Sequence, residues 1–208
     1  MKDTKAASHG PLAGITVVDV SSAVAGPWVS SWLAELGAEV VFIEKVGVPD
    51  VMRMTGAVSG DQSGCWVHMH RNKRGMDLDI RSEAGRDILL RLVSGADVFI
   101  QNFRPGVAER LQIGYESLSA VNPDLVYLSV SGFGQNGPYA GRPVYDPIIQ
   151  AISGMAEAQN GTYVKAVVAD KTTAMAGANA VLAALVARSN GAGGQHIELA
   201  LLDAMLHW

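Results

Sequence analysis

The sequence predicts an α/β fold, an open sheet of parallel strands with helices on both faces. Three observations predict it. The chain opens with a short buried run, a Gly-Pro turn into a helix, and a second buried run, all within Ile15–Ile43. Buried runs then recur between helical segments, at Asp97–Ile100 and Leu125–Ser131. Polar turns rich in glycine and proline follow them, at the strand ends where open parallel sheets bind ligands.

The elements follow in order. Ile15–Val20 reads as the first strand, and Pro27 suits the first turn of a helix over Trp28–Leu36 that stops at Gly37. Glu39–Ile43 is the next strand, so the opening is a β-α-β unit with a right-handed crossover. Its first turn, Ser21 to Gly26, lacks the triple glycine that cradles a pyrophosphate. Glu44–Gly75 has little periodicity but concentrates Lys45, Arg53, Arg71, Lys73 and Arg74. Such a cluster is either a solvated surface or a phosphate site, and the sequence leaves both open. Glu83–Val93 has helical spacing and Gly95 closes it. Asp97–Ile100 is a strand running into Gln101-Asn-Phe-Arg-Pro-Gly106, a turn that Pro105 and Gly106 explain even without a ligand.

Glu109–Ile113 and Tyr115–Val121 read as short helices, and Leu125–Ser131 as a strand. Gly132-Phe-Gly-Gln-Asn-Gly137 fits G-x-G-x-x-G, but Pro138, Gly141 and Pro143 follow where the dinucleotide motif needs a helix. A flexible loop over a site is the better reading. A helix over Tyr145–Ile152 begins with a phenol and Asp146. Tyr163–Ala169 reads as a buried strand, and Lys171–Arg188 as an Ala-rich helix closed by Asn190-Gly191. Asp170 stands at their junction, either as an N-cap or as a nucleophilic carboxylate. Gln195–Leu202 is a further strand, and Asp203–Trp208 starts a helix that stops without a cap. The chain thus reads as the front part of a longer protein.

Composition bounds the function. The 208 residues are 49% hydrophobic and 17% charged, with 23 glycines and a net charge of -4. This is a globular chain with no electrostatic reason to bind nucleic acid or an anionic membrane. Met1–Gly10 is polar and reads as a flexible tail, leaving residues 11–208 as one domain. The single cysteine, Cys65, excludes an internal disulfide framework and suits a reducing cytoplasm. No apolar run approaches the length of a membrane span.

Taken together, the segments resemble the class III CoA transferases. The resemblance rests on Pro-Leu-Ala-Gly-Ile-Thr-Val-Val-Asp at 11–19, Ala-Gly-Pro at 25–27 and Gly-Ala-Glu-Val-Val-Phe-Ile-Glu-Lys at 37–45. It continues in Asn72-Lys-Arg-Gly75, Asn102-Phe-Arg-Pro-Gly106, Ser131–Pro138 and the Asp170 segment ending Gly193-Gly-Gln195. The order and spacing of these segments carry the signal.

This resemblance implies a Rossmann-like domain binding coenzyme A as co-substrate, with no metal, in chains roughly twice as long that interlock as homodimers. It turns Asp170 from cap to nucleophile, attacking an acyl-CoA to form an aspartyl anhydride and then an aspartyl–CoA thioester. The acceptor is a small carboxylic acid. One glycine-rich loop that would stabilise the oxyanions lies, by resemblance, beyond Trp208. Carried over residue by residue, Lys45, Lys73, Arg74, Asn102, Phe103 and Arg110 match CoA-binding positions. Val24 replaces a glutamine that lines the site in the formyl-CoA transferases, which implies a more apolar acyl group. Racemases on the same fold have a histidine where this chain has Tyr145, so Asp170 and Tyr145 are its candidate catalytic residues. A phenol with a pKa near 10 is a poor substitute for that base at neutral pH. An acyl-CoA racemase and a non-catalytic CoA-binding subunit or fragment stand as alternatives to the transferase.

Overall fold

The computed structural model describes residues 9–208. The expected tail therefore lies outside the described residues except for His9 and Gly10. Gly10 packs on the Leu36 carbonyl, which also accepts the Leu12 N–H at 3.0 Å, so this part of the tail is docked.

Six strands form one parallel sheet: β1 (Thr16–Asp19), β2 (Glu39–Glu44), β3 (Lys73–Asp77), β4 (Val98–Gln101), β5 (Val126–Ser131) and β6 (Gln195–Ala200). Their spatial order is β3-β2-β1-β4-β5-β6. The chain builds outward from β1 to one edge, then returns to β4 and builds the other way. The reversal opens a crevice at the carboxyl ends of β1 and β4, where doubly wound sheets bind ligands.

Helix α1 (Ala25–Glu35) joins β1 to β2. The long link from β2 to β3 holds a 3₁₀ turn, Val51–Met54, a two-residue antiparallel ribbon and α2 (Gly64–His70). Sequence periodicity missed these because each is shorter than two and a half turns or strands of its kind and is held by local caps. The Asp50 side chain accepts Met52 N–H, and Ser63 Oγ accepts Trp66 N–H. β3 was missed for a different reason. It is an edge strand, Lys-Arg-Gly-Met-Asp, and edges carry charge rather than an apolar run.

Beyond β3 come α3 (Glu83–Val93), α4 (Val107–Arg110) and α5 (Tyr115–Ser119), then α6 (Asp146–Ile152), α7 (Met155–Ala158), α8 (Val168–Ser189) and α9 (Leu201–Met205). The G-x-G-x-x-G run ends β5 and enters a loop rather than a helix, as its prolines dictate. The expected strand at Tyr163–Ala169 is absent. Residues 160–167 form a loop with no neighbouring strand to pair with. Gln150 supplies the hydrogen bonds instead, accepting Val164 N–H at 2.9 Å and donating to the Val164 and Ala166 carbonyls, each at 3.3 Å. The helix accordingly begins at Val168, and Asp170 lies inside its first turn.

Successive strand residues point to opposite faces, so the sheet feeds two cores. Val17, Ile100, Leu128 and Val130 meet Val29 and Leu33 of α1 and Val181 of α8. Val18, Phe99 and Tyr127 meet Leu89 and Val93 of α3 and Leu118 of α5. Each such side chain contributes about 1.5–3 kcal/mol by leaving water. Gly177 lets α8 lie close to α1, since a Cβ there would sit 2.8 Å from Val29 Cγ2.

Candidate active site

The turn between β1 and α1 is bound from three directions. Beneath it, buried Asp19 accepts Ser21 N–H at 2.9 Å and also the hydroxyls of Ser21 and Ser30. From β4, Asn102 spans the crevice as a two-bond bracket, accepting Ser22 N–H at 2.9 Å and donating to Ser22 O at 2.7 Å. From the β2 side, Asp50 accepts Ala23 N–H at 2.8 Å. Ala23 has φ +61°, a left-handed conformation that residues with a Cβ adopt only under constraint.

This turn delivers the N-terminus of α1, whose own cap position, Val24, offers no side-chain hydrogen bond. The Asp170 carboxyl of α8 faces this end of α1, where the Ala25 amide favours its charged form. Asp170 does not cap α8, since it stands inside the first turn. The cap of its own helix is Asp146, whose Oδ2 accepts Asp170 N–H at 3.0 Å while its Oδ1 accepts Gln150 Nε2 at 2.6 Å. Asp146 is 4% exposed and Asp170 half-buried.

Burial first, and the Asp146 charge second, push the Asp170 carboxyl up to about 7, with the Ala25 amide pulling the other way. A carboxyl poised near neutrality at a helix N-terminus can act as a nucleophile or as an acid–base group.

On the other side of the turn lies a cavity of about 730 Å³ at the carboxyl ends of β1, β2 and β3. Ser22, Ala23, Ile43, Ile80 and Phe103 help to line it, with the cations Lys45, Arg81 and Arg110 and the carboxylates Glu44, Asp50 and Asp79. An apolar slot with three cations and an aromatic ring can take a phosphorylated nucleotide.

Comparison with known proteins bears on this geometry. The family model described as CoA-transferase family III matches residues 12–208. The chain belongs to CoA-transferase family III. It is 43% identical over 152 residues to an acetyl-CoA:oxalate CoA-transferase of Acetobacter aceti, covering 73% of this chain and 39% of that one. It is 38% identical to a succinate–glutarate CoA-transferase of Agrobacterium fabrum, covering 93% of this chain and 51% of that one. The structure of a CaiB/BaiF family protein from Brucella suis superposes with a TM-score of 0.88 at 36% identity, covering 95% of this chain and 55% of that one. The family III chain spans about half the length of the curated relatives it matches.

The expected CoA-binding residues separate into two groups. Lys45, Phe103 and Arg110 line the cavity, and Asn102 borders it as the bracket on Ser22. Lys73 and Arg74 do not come there. Parallel pairing of β3 with β2 sets Lys73 opposite Val40 and Arg74 opposite Val41, toward the amino ends of the strands. Lys73 is 1% exposed, donates to Pro27 O at 2.6 Å and lies 3.8 Å from Asp19; burial pushes its pKa down to about 8. Arg74 pairs with Glu39 at 2.7 Å on the surface. Neither residue lines this cavity.

Arg81, which the sequence reading passed over, supplies the third cation instead. Its signal was its place just after β3, but β3 itself was not legible. Tyr145 is 78% exposed at the N-cap of α6, beside Asp146. Val24, the cap position of α1, is 6% exposed. Among the described residues no group of three or more His, Cys, Asp or Glu side chains could hold a metal ion, and no helix is long and apolar enough to cross a membrane.

Proposed function

We propose that this chain carries the nucleotide site and the nucleophile of an acyl-CoA:carboxylate CoA-transferase, with Asp170 as the nucleophile. The observation that carries the reading is the shared turn. Ser22 and Ala23 wall the cavity that Lys45, Arg81 and Arg110 border, and two residues later the Ala25 amide faces the Asp170 carboxyl. A CoA nucleotide in the cavity would therefore bring its thioester arm toward Asp170.

In this mechanism the Asp170 carboxylate adds to the thioester carbonyl of the donor. Collapse expels CoA thiolate and leaves a mixed anhydride. The thiolate adds to the aspartyl carbonyl, and the donor acid departs as a carboxylate. The acceptor carboxylate then adds to the aspartyl thioester, expels the thiolate and forms a second anhydride. Attack of the thiolate on its acceptor carbonyl gives the new thioester and frees Asp170. Each step exchanges one leaving group for one nucleophile, with no net proton. The Ala25 amide dipole favours the charged carboxylate. Half-burial keeps water from the anhydrides.

The relatives are named for oxalate, succinate and glutarate, so a short dicarboxylic acid is the proposed acceptor. Tyr145 is assigned to contact with the acyl group rather than to proton transfer, because a phenol stays protonated at neutral pH. The interlocked homodimer and the cytoplasmic setting belong to the same proposal for the whole protein.

The test is intact-mass analysis of wild type and Asp170→Ala after incubation with acetyl-CoA, oxalyl-CoA or succinyl-CoA and trapping with hydroxylamine. A hydroxamate at Asp170, absent from the variant, is the expected result. CoA binding without any adduct would overturn the transferase reading in favour of a binding subunit, and exchange of an α-proton with solvent would favour a racemase.

A further inference from the structure

We infer that Asp50 is a positioning residue for this reaction: through the Ala23 amide it fixes the turn whose Ala25 amide faces Asp170 and whose Ser22 and Ala23 wall the nucleotide cavity. The inference rests on the transferase reading of that site.

Asp50 is 8% exposed, and both of its oxygens are committed. Oδ2 accepts Ala23 N–H at 2.8 Å and Oδ1 accepts Met52 N–H at 2.8 Å. Its own N–H donates to Glu44 Oε1 at 2.8 Å. Glu44 is in turn gripped by the Arg53 fork, at 2.9 Å through Nε and 2.7 Å through Nη2. The Arg53 guanidinium lies 3.8 Å over the Trp66 ring of α2. The carboxylate is thus anchored to the end of β2 and to α2, and it reaches across to a residue more than twenty positions earlier.

What it holds there is strained. Ala23 has a Cβ and a φ of +61°, followed by Val24 in the right-handed region and then by α1. Without a partner for its N–H, this residue has every reason to relax to negative φ. Relaxation would swing the Ala25 amide away from Asp170 and move the cavity wall together. Asn102 and Asp19 hold the flanking Ser22 and Ser21, but among the described residues Asp50 is the side chain bonded to Ala23 itself. Asp50 also lines the cavity, so its effect on coenzyme A can be direct, whereas its effect on Asp170 passes through the backbone.

Asp50→Asn tests this. A carboxamide keeps the shape but offers one acceptor oxygen in place of two, so Ala23 N–H and Met52 N–H cannot both be satisfied. The charged groups around Asp50 are Glu44, Arg53 and Lys73, and those at Asp170 are Asp146 and the Ala25 amide dipole. Three readouts apply: the ¹³C titration of Asp170 in aspartate-labelled protein, the dissociation constant for free coenzyme A, and the rate of Asp170 acylation by succinyl-CoA.

The expected result is an Asp170 midpoint above the wild-type value, because the amide that favours its charged form has loosened. CoA binding weakens, and acylation slows by roughly ten- to hundredfold, the scale of a small misplacement of a reacting group. Ala23→Gly added to Asp50→Asn restores much of both, since glycine takes a left-handed φ unaided. Ala23→Val with Asp50 intact reproduces the defect, which keeps the test decisive should Asp50→Asn fold poorly.

An Asp170 titration and acylation rate unchanged in Asp50→Asn, in a protein whose wild type acylates, would overturn the inference. So would a defect that Ala23→Gly leaves in place. A wild type that takes no acyl group defeats the transferase reading instead, and the Asp170 titration still reads the Asp50 contact.

Discussion

Asp146 and Asp170 act on each other in two opposite senses. The Asp146 carboxylate accepts the Asp170 backbone N–H at 3.0 Å and so fixes where the residue stands, while its negative charge helps to raise the pKa of the Asp170 side chain. Position is gained through the main chain and basicity through the side chain.

The first prediction is a pH profile. Asp170 must be ionised to attack, and burial with the Asp146 charge places its pKa at about 7. Acylation should therefore rise from pH 6 and level off above pH 8, by roughly a factor of ten across the ionisation. Asp146→Asn removes the negative neighbour and leaves one acceptor oxygen for two donors, so the Asp170 N–H keeps its partner only as Gln150 Nε2 loses one; the rise should move by about one pH unit toward acid. Hydroxamate formation in rapid-quench experiments from pH 5 to 9 measures both.

The second prediction concerns stability. The folded pKa of Asp170 lies above its ordinary value of 3.8, so the folded state holds a proton that the unfolded state has lost. The favourable contribution of this group is complete below about pH 4 and disappears as pH rises through 7. Asp170→Asn keeps an oxygen to face the Ala25 amide and removes the buried charge. Melting at pH 8 should show the variant more stable than wild type by on the order of 1–3 kcal/mol after allowance for solvent screening, with little difference at pH 4. A variant less stable at both values would remove burial of the charge as the cause of the raised pKa.

How much of this the sequence carried depended on the length of each signal. The β1-α1-β2 opening, β4 and β5 were legible because buried runs and turn residues coincide there. β3 was not, because an edge strand with Lys73, Arg74 and Asp77 has no apolar run to read. That omission concealed Arg81 as a cavity residue, while Lys73 and Arg74 were named from the family resemblance alone. Asp170 was legible as a carboxylate at a helix start. Its partner Asp146 is legible only as a residue at the start of α6, since a bond across 24 positions leaves no local pattern. Tyr163–Ala169 looked like a strand because Val-rich runs favour pleated surfaces, yet the sheet offered it no neighbour.

The third prediction separates the two groups of cations. Arg81→Ala and Arg110→Ala each remove an exposed charge from the cavity rim. Each should weaken coenzyme A binding about tenfold in calorimetry, while stability changes by less than ~0.5 kcal/mol. Lys73→Met should do the reverse. It strips the donor from Pro27 O and leaves Asp19 buried beside no cation, a loss of about 3–5 kcal/mol for a broken buried pair. Any fall in CoA affinity should follow the loss of folded protein.

The last prediction takes the turn itself. Gly26 is the second residue of α1, and a Cβ there would overlap the Ser21 Cβ and Oγ and come within 3.6 Å of Asn102 Cγ. Ser21 cannot give way cheaply, because its N–H and hydroxyl are both bonded to buried Asp19. Gly26→Ala should therefore cost about 1–3 kcal/mol, the range for overpacking a well-filled site. The same displacement bears on the neighbouring Ala25 N–H, so acylation should fall further than stability alone explains. Gly141→Ala is the matched control, since no atom lies within 4 Å of its added Cβ. It should stay within about 0.5 kcal/mol of wild type in urea denaturation. Equal effects from the two glycines would mean that the contact with Ser21 is not what holds the turn in place.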